Sequence, residues 1–523
     1  MLHLPLEPFA CVAEPAGDKT SGSLTLHSST QSPSFVRAEI ARLLGWPDNK
    51  VRVKVPYLGG GFGAKVYVKA EALAAACAML ARRPVKYALT MEEQFYMITK
   101  HATTLRIKSG VTKDGKITAR ECEVWWNGGA YADIGPRVTQ KSGFTAAGPY
   151  DIDNVHIDSY ALYTNLPPAG ALRGFGIPQL VWAYESHTDM IARELKIDPL
   201  AIRRKNLLRE GRPQATGTPM RDAALDLVLE RLAARMAWEK GFDRGSGAIK
   251  RGRGLAIGFK ASISPTTSMA IVNISADGSC ALYSSTVDMG QGSDTAMAQM
   301  VSEVTGIALE KITVVHPDTD VTPYDMATLG SRSTYHMGHA VKNAAEDARD
   351  KLRALARDGG LSAETTPIPD IFRKKYGMLA GNIVGVGSFI PPYTPPDANG
   401  QTENATPFWM IGATGAEVEV DTETGEFKVT RLVNLVDVGK SINPSIVETQ
   451  ISGATVMQLG FTLTEQMNFD AGQVTNASLA DYKIPGIRDI PLMENEAVDA
   501  NQRSGPFGAK GVGESGTLDR KST

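Results

Sequence analysis

Glycine is concentrated in four short segments that could place backbone groups against a ligand. The chain contains 51 glycines in 523 residues, above the average usage of about 7%. The four segments are Gly59–Gly63, Arg173–Gly176, Met289–Gly292 and Gly508–Gly516. Because glycine lets the backbone approach a ligand closely, this clustering indicates loops that line a binding site rather than a flexible linker.

Three loops are suited to an anion or an oxo group. Gly59–Gly63 follows a predicted strand and precedes a predicted helix, so its backbone N–H groups can face a ligand. Met289–Gly292 lies at a similar junction, where Gln291 adds a side-chain amide donor. Thr328–Thr334 adds hydroxyl groups and the Arg332 guanidinium, which suit phosphate or the edge of a pterin. Such loops in one chain predict a large polar cofactor.

One carboxylate, Glu514, stands within the last glycine segment, between Gly513 and Gly516. Little side-chain bulk separates it from whatever that loop contacts. In a dry pocket the pKa of a glutamate rises, and Glu514 would then be suited to serve as a general base. A solvated surface glutamate is the alternative interpretation of the same segment.

Two common nucleotide-binding motifs fit the first glycine loop poorly. Gly59, Gly61 and Ala64 satisfy the glycine pattern of a dinucleotide-binding fold, which makes a nicotinamide-dependent dehydrogenase an alternative. That fold needs an acidic residue about 20 residues further on, and Glu92 lies roughly ten residues too late. A phosphate-binding Walker A loop needs Ser or Thr directly after Lys65, where this sequence has valine.

Composition and charge limit the class of protein. Apolar residues make up 42% and charged residues 21%, as in soluble globular proteins, so a disordered chain and a coiled-coil rod are excluded. The net charge of −2 provides no general basic surface for nucleic acid. The longest apolar run, Ala72–Ala81, is far shorter than the roughly 18 residues that suggest a membrane span. Four cysteines without CxxC spacing argue against an iron–sulfur or zinc site in this chain.

The predicted elements form two halves with the same order of strand, glycine loop and helix. We expect a mixed α/β chain of the α+β class, with one domain over residues 1–230 and a second over residues 231–523. Hydrophobic period and turn signals predict several longer elements. They are hairpins at Arg106–Val124 and Glu417–Val429 and helices over Lys69–Arg83, Gln179–Leu207 and His339–Asp358.

In their order along the chain, these segments closely resemble the molybdopterin-binding subunit of the xanthine dehydrogenase and aldehyde oxidase family, the molybdenum hydroxylases. The resemblance spans nearly the whole chain. The motifs that carry it are Ser28–Gln31, Gly59–Gly63, Leu172–Gln179, Met289–Gly292, Asp437–Gly439, Asn443–Pro444, Gln450, Asp481–Pro485 and Gly511–Glu514. It implies two large molybdopterin-binding domains with the cofactor at their interface.

The resemblance also implies which residues bind the cofactor. Molybdenum would be held by the dithiolene of molybdopterin, often in its cytosine dinucleotide form, with no side-chain ligand from the protein. The residues nearest the metal would be Gln31, Arg173 and the backbone of Gly61, Phe62 and Gly63. Those around the pterin and its phosphate would be Met289, Gly290, Gln291, Gly292, Ser331, Arg332, Ser333, Thr334, Gln450, Gly511, Val512 and Gly513. Phe175, Val66 and Lys141 would line the substrate pocket.

The reaction implied by the resemblance is hydroxylation with oxygen from water. Glu514 would deprotonate a molybdenum-bound hydroxide as it attacks an electron-poor carbon, and hydride would pass to the sulfido ligand. Arg173 and backbone N–H groups would stabilise the charge that develops. The family passes electrons through [2Fe–2S] clusters to FAD, so an iron–sulfur subunit and a FAD subunit are the expected partners.

The sequence departs from purine-oxidising relatives at two positions. Val66 stands where those relatives have a glutamate, and Lys141 falls where they have a substrate-contacting arginine. Both changes weaken a xanthine assignment, since loss of the carboxylate removes a hydrogen-bond partner for a purine. Carbon monoxide oxidisers have a cysteine in the loop before Arg173, and Asn165–Leu172 contains none. The expected substrate is an aldehyde, an aromatic N-heterocycle or an aryl-CoA thioester.

Both ends of the chain are shorter than is usual for the family. A hammerhead-like α/β domain usually precedes the segment at Leu6–Pro8, and a further stretch usually follows the segment of Glu514. We expect a separate chain to supply the missing N-terminal domain; a truncated fragment or a non-catalytic assembly subunit is the alternative. The expected location is the cytoplasm, or the periplasm if a partner carries a twin-arginine signal.

Overall fold

A computed structural model describes residues 1–17, 22–262, 265–500 and 502–518, which fold into mixed sheets covered by helices. The mixed α/β class predicted from the sequence is confirmed. Among the described helices, none is both long enough and apolar enough to cross a lipid bilayer.

The first sheet has the strand order β3–β2–β1–β4. Its elements in chain order are β1 (Ala10–Ala16), β2 (Ser23–Ser28), α1 (Pro33–Leu44), β3 (Val51–Lys54), α2 (Ala70–Ala81) and β4 (Val85–Ala88). β1 runs antiparallel to β2 and β4, and β2 runs parallel to β3. Leu24 and Leu26 on β2 are buried against Val36 of α1 and Ala74 of α2, because alternate strand residues point to the same face.

A hairpin and a crossover strand follow the first sheet. The elements are α3 (Met91–Met97), β5 (Thr99–Lys100), β6 (Ala102–Val111), β7 (Ile117–Asn127), α4 (Gly135–Gly143), β8 (Asn154–Leu162), β9 (Ala169–Gly170), α5 (Ile177–Leu195) and α6 (Pro199–Asn206). β6 pairs antiparallel with β7, and β7 pairs parallel with β8. The hairpin predicted at Arg106–Val124 is confirmed.

The single helix predicted over Gln179–Leu207 is wrong, since the chain breaks there into α5 and α6. Lys196 adopts a left-handed conformation with φ of 55° and ends α5. The Asp198 side chain then accepts hydrogen bonds from the N–H groups of Leu200 and Ala201 and caps α6. Pro199 occupies the first turn, where its missing N–H costs nothing.

The second half begins with a helix and a long strand and then repeats the first sheet. The elements are α7 (Leu225–Arg235), β10 (Ile249–Ala261), β11 (Ser268–Ser275), β12 (Cys280–Ser284), α8 (Ser293–Thr305), β13 (Ile312–Val315), α9 (Gly338–Asp358), α10 (Ile368–Tyr376) and β14 (Asn382–Phe389). The sheet order β13–β12–β11–β14 and its pairing directions match those of β3–β2–β1–β4. The predicted similarity of the two halves therefore extends to their topology.

The last sheet, β10–β15–β16–β19, repeats the pairing of β6, β7 and β8. Its further elements are β15 (Trp409–Asp421), β16 (Phe427–Gly439), α11 (Pro444–Leu463), the small hairpin β17 (Phe469–Asp470) and β18 (Gln473–Val474), and β19 (Leu492–Asp499). β15 pairs antiparallel with β16, and β16 pairs parallel with β19. The division of the chain at residue 230 stays a prediction; that residue lies within α7, whose apolar face packs on β15 and β16.

Equivalent connections in the two halves supply the glycine loops. Gln31 and Gly59–Gly63 follow β2 and β3, while Met289–Gly292 and Thr328–Thr334 follow β12 and β13. The segment after β13 pairs with β3 at these ends, because Val53 and Thr319 exchange hydrogen bonds. The topology thus brings loops from both halves to one place.

Candidate active site

Gln31 joins the first glycine loop to the second half of the chain. Its Oε1 accepts a hydrogen bond from the Gly63 N–H at 3.0 Å, and its Nε2 donates to the Thr328 carbonyl at 2.8 Å. The residue is 3% exposed. A primary amide carries two N–H donors, so one donor of Gln31 remains for a ligand.

The Gly59–Gly63 loop is held by an ion pair between buried Lys65 and half-buried Glu7. Glu7 Oε2 accepts hydrogen bonds from the Gly59 N–H and from Lys65 Nζ, both at 2.8 Å. Gly63 has φ of +104°, and a Cβ there would lie 2.6 Å from the Ala171 carbonyl oxygen. Glycine is therefore required at residue 63 both by backbone conformation and by close approach. The Phe62 carbonyl accepts a hydrogen bond from the Arg173 N–H at 2.8 Å.

Arg173 connects three segments through its guanidinium. Nη2 donates to Gln450 Oε1 at 2.9 Å and to the Gln450 carbonyl at 3.0 Å, and Nε donates to the Gly513 carbonyl. Burial lowers the pKa of Arg173 to about 10, and the nearby Glu514 carboxylate opposes that shift. Among the described residues, Nη1 donates to no protein acceptor, so this end of the guanidinium is open to a ligand.

Glu514 is a buried carboxylate with a donor on each oxygen. Oε1 accepts from the Gly174 N–H at 2.9 Å, whereas Oε2 accepts from Lys260 Nζ at 2.9 Å and from Ser331 Oγ at 3.1 Å. Burial alone would raise the pKa of Glu514, but the Lys260 ammonium and the two other donors hold it below its ordinary value. The raised pKa expected for this glutamate is therefore wrong, because the sequence does not show that a cation lies beside it.

Lys260 is the site residue that the sequence analysis missed. It stands near the end of β10, in the run Leu255–Ala261 whose residues are all buried. Its ammonium reaches Glu514 across 254 residues of sequence. The available signal was a single lysine inside the otherwise apolar run Leu255–Ala261, since a buried lysine needs an anionic partner.

The Met289–Gly292 loop contacts the Gly59–Gly63 loop, but the side-chain amide of Gln291 points into its own loop. A Cβ at Gly61 would lie 2.9 Å from Met289 Sδ and 2.5 Å from Gln31 Oε1, so the two loops are in contact. Gln291 Nε2 donates to the Val287 carbonyl and to Ser293 Oγ, and its Oε1 accepts from the Met289 N–H. The Gln291 side chain therefore stabilises its own loop rather than offering a free amide.

The loop after β13 contributes Ser331 and not the Arg332 guanidinium. Ser331 Oγ donates to Glu514 and accepts from the Glu514 N–H at 3.0 Å. Arg332 is buried in an ion pair with Asp325 and a hydrogen bond to Ser268 Oγ, away from the other predicted site residues. Ser333 and Thr334 are half-buried at the start of a π-helical turn that leads into α9. Such turns are frequent at functional sites.

Comparisons with known proteins identify the family of this chain. Two models of molybdopterin cofactor-binding domains match residues 1–207 and 228–491. The chain is 33% identical to a xanthine dehydrogenase molybdenum-binding subunit of Escherichia coli O157:H7, over 94% of this chain and 68% of the relative. The chain belongs to the molybdenum hydroxylase family of xanthine dehydrogenases and aldehyde oxidases.

Two solved molybdenum hydroxylases share the fold over 99% of this chain. The aldehyde oxidoreductase from Desulfovibrio gigas has a TM-score of 0.89 at 28% identity, and this chain covers 56% of it. Carbon monoxide dehydrogenase from Oligotropha carboxidovorans has a TM-score of 0.86 at 25% identity, and this chain covers 69% of it. The chain thus spans about half to two thirds of the length of these molybdenum hydroxylases.

The donors around the site fit the cofactor of a molybdenum hydroxylase. Within the described ranges, the N–H groups of Phe62, Gly292, Val512 and Gly513 donate to no protein acceptor. A Cβ at Gly330 would meet nothing within 4 Å, which leaves open space beside this loop. Unused backbone donors from both halves, together with the free N–H of Gln31, form a donor set that suits a pterin and a phosphate.

The loop that carries Phe175 lies against the helix that carries Lys141. Phe175 packs against the hydrophobic cluster that contains Trp126 and Val138. A Cβ at Gly176 would lie 3.0 Å from Ser142 Cβ, so the Phe175 loop lies against α4, the helix that carries Lys141. Val66 is buried, at 5% exposure.

Lys141 has an aromatic environment. Its Nζ lies 5.1 Å from the Phe144 ring centroid and 5.3 Å from the Tyr393 ring centroid. Burial, followed by the nearby Arg137 charge, lowers the pKa of Lys141 to about 8. Among the described residues no carboxylate pairs with this ammonium, so it is available to an anionic ligand.

Proposed function

We propose that the chain is the cofactor-binding subunit of a molybdenum hydroxylase that oxidises an aldehyde, an aromatic N-heterocycle or an aryl-CoA thioester. The observation that carries this proposal is the meeting of Gln31, Arg173 and Glu514, from three loops, beside backbone donors that no protein acceptor uses. When bound, the molybdenum cofactor supplies the oxygen that is inserted, which comes from water, and accepts two electrons from the substrate.

Glu514 is the proton acceptor in this proposal. A carboxylate has about four acceptor sites on its two oxygens. Oε2 already accepts two hydrogen bonds, whereas Oε1 accepts one, from the Gly174 N–H. The remaining site of Oε1 is therefore where Glu514 takes up a proton, and its lowered pKa keeps it ionised and ready to do so.

Arg173 and Gln31 orient the cofactor and stabilise negative charge that develops during the reaction. The open Nη1 of Arg173 and the second N–H of Gln31 are fixed donors, because the other atoms of both side chains are held by the protein. Preorganised donors of this kind stabilise negative charge as it develops. Gly511, Val512 and Gly513, with Ser331 and Gln450, would hold the pterin.

The substrate proposal rests on Val66 and Lys141. Val66 provides no carboxylate to hydrogen-bond a purine, although the E. coli relative carries the name xanthine dehydrogenase. Lys141 lies near two aromatic rings and donates a hydrogen bond to the Tyr393 hydroxyl at 3.3 Å, an environment that suits a flat aromatic substrate with a negative charge. Among the three candidate classes, a carboxylated N-heterocycle or an aryl-CoA thioester carries the negative charge that would pair with the Lys141 ammonium.

The assembly is part of the same proposal. An iron–sulfur subunit and a FAD subunit would receive the electrons, and the cofactor would be in the cytosine dinucleotide form. The complex would lie in the cytoplasm. The unused donors on both halves support binding of the cofactor between domains 1–230 and 231–523.

Cofactor content and one substitution test the function. The chain is co-expressed with its iron–sulfur and FAD partners, and molybdenum and released pterin are measured on the purified complex. We expect about one molybdenum per chain, and a fall in turnover per molybdenum of about 10²–10⁴-fold in Glu514→Gln. Glu423→Gln, at an exposed turn, is the matched control.

Two results would contradict the proposal. If turnover per molybdenum in Glu514→Gln stays within about tenfold of the parent at normal molybdenum content, the assignment of Glu514 as the base is wrong. A folded complex without molybdenum and pterin would favour a non-catalytic assembly subunit.

A further inference from the structure

Lys260 and Glu514 form an ion pair that is nearly removed from solvent. Nζ and Oε2 are 2.9 Å apart, and the two side chains are 5% and 12% exposed. Lys260 also donates to the Ala261 carbonyl at 3.4 Å. Because only 5% of its side chain is exposed, the Lys260 ammonium depends on protein groups rather than bulk water for compensation.

The groups that face Glu514 divide into charged and neutral donors. Lys260 from β10 and Arg173 from the loop before α5 are the cations, while Ser331 and the Gly174 backbone are neutral. Arg173 directs its donors to Gln450 and Gly513, whereas Lys260 contacts the carboxylate itself. Lys260 is therefore the group that compensates the buried charge of Glu514.

We propose that Lys260 is the positioning residue for the catalytic base: it keeps Glu514 ionised and occupies Oε2, so that Oε1 alone is left to accept a proton. This inference rests on the proposed role of Glu514. A buried carboxylate without a cation takes up a proton rather than remain charged. Without Lys260, Glu514 would stay protonated up to a higher pH, and over that added range it could not act as a base.

Three substitutions separate charge from packing. Lys260→Met keeps the length of the side chain and removes the charge, Lys260→Gln keeps an N–H donor without charge, and Lys260→Arg keeps the charge. The matched control is Lys342→Met, which breaks the half-exposed pair with Glu346 on α9. All variants are measured in the full complex with molybdenum content determined.

The pH profile of kcat/KM is the first readout, because its acid limb reports the pKa of the free enzyme's base. Loss of an adjacent opposite charge raises the pKa of a carboxyl by about 1–3 units. We expect the acid limb to move up by that amount in Lys260→Met and Lys260→Gln. Lys260→Arg and Lys342→Met should keep the parent's acid limb.

Infrared difference spectroscopy is the second readout and needs no turnover. At about pH 5 to 5.5, roughly one unit above the ordinary glutamate pKa, Lys260→Met should show the C=O band of a protonated carboxyl, and the band should be missing from the parent and from Lys260→Met/Glu514→Gln. This readout works on the complex without substrate. It also covers the case in which Lys260→Met is too unstable to assay, since Lys260→Gln is expected to show the same band.

Failure of this inference differs from failure of the proposed function. An unchanged acid limb and no carboxyl band in Lys260→Met and Lys260→Gln, with Glu514→Gln inactive, would overturn the inference and leave the function intact. Full turnover in Glu514→Gln would overturn the function, while the infrared band would still report the coupling between Lys260 and Glu514.

Discussion

Gly511 offers a direct test of how the Glu514 loop is held. A Cβ added at Gly511 would lie 1.6 Å from the Ser331 carbonyl oxygen, and ordinary contact begins at 3.4 Å. In Gly511→Ala the two backbone segments must therefore separate by about 1.8 Å, because a close-packed interior cannot absorb the methyl group. The displaced loop leads into Glu514, whose carboxylate and N–H both contact Ser331.

We expect the displacement to cost both turnover and stability. A misplacement of 1 Å near the reacting atoms costs on the order of 10²-fold in rate. Overpacking lowers the free energy of unfolding by about 1–3 kcal/mol. Turnover per molybdenum and thermal unfolding of the complex measure the two effects separately.

Gly241→Ala is the matched control for this substitution. A Cβ there would meet nothing within 4 Å, and its backbone is not left-handed, so neither turnover nor stability should fall. Parent-like turnover and an unchanged melting temperature in Gly511→Ala would refute the packing of this loop against Ser331.

Other substitutions test the charges and the pocket. Arg173→Lys should lower turnover per molybdenum by about 10²–10³-fold, because an ammonium cannot replace the fixed donors of the guanidinium; an unchanged rate would remove Arg173 from the site. Asp437→Asn leaves Lys510, its fully buried partner at 2.7 Å, without a counter-charge, and should cost about 3–5 kcal/mol in denaturant unfolding. Burial, and then the charge of Asp288, raise the pKa of Asp294 to about 6, so its contribution to stability is lost as pH rises from the ordinary aspartate range through about 6. The melting temperature of Asp294→Asn should therefore exceed that of the parent increasingly between pH 4 and 7. Lys141→Met should raise KM for a carboxylated aromatic substrate and leave KM for a neutral aldehyde unchanged; equal effects on both would place Lys141 outside the pocket.

The glycine loops and the order of elements were predictable because they depend on contiguous residues. A strand followed by glycines and a helix is visible in a short window, as at Gly59–Gly63, and the two halves repeat that order. The same local reasoning failed at Lys196–Pro199. The helical spacing of apolar residues continues through this segment, although Lys196 ends α5 in a left-handed conformation and Asp198 caps the start of α6. The continuous spacing therefore conceals the break between the two helices.

The predicted loops met as expected, but several side chains took partners that no motif indicates. Gln291 is used by its own loop, and Arg332 is paired with Asp325. Ser331 was expected to bind the cofactor, and its hydroxyl also contacts the Glu514 carboxylate. Residue type predicts which groups can donate, whereas the direction of each side chain follows from packing.

The sequence by itself determined the family, the two similar halves and the loops in which Gln31, Arg173 and Glu514 lie, because backbone freedom and motif order are properties of the chain. Only the tertiary structure decided the charge state of Glu514. That depends on Lys260, which is 254 residues away in sequence and 2.9 Å away in space. The energy of a buried carboxylate is set by the charges and donors within a few ångströms of it, and folding alone determines which residues those are.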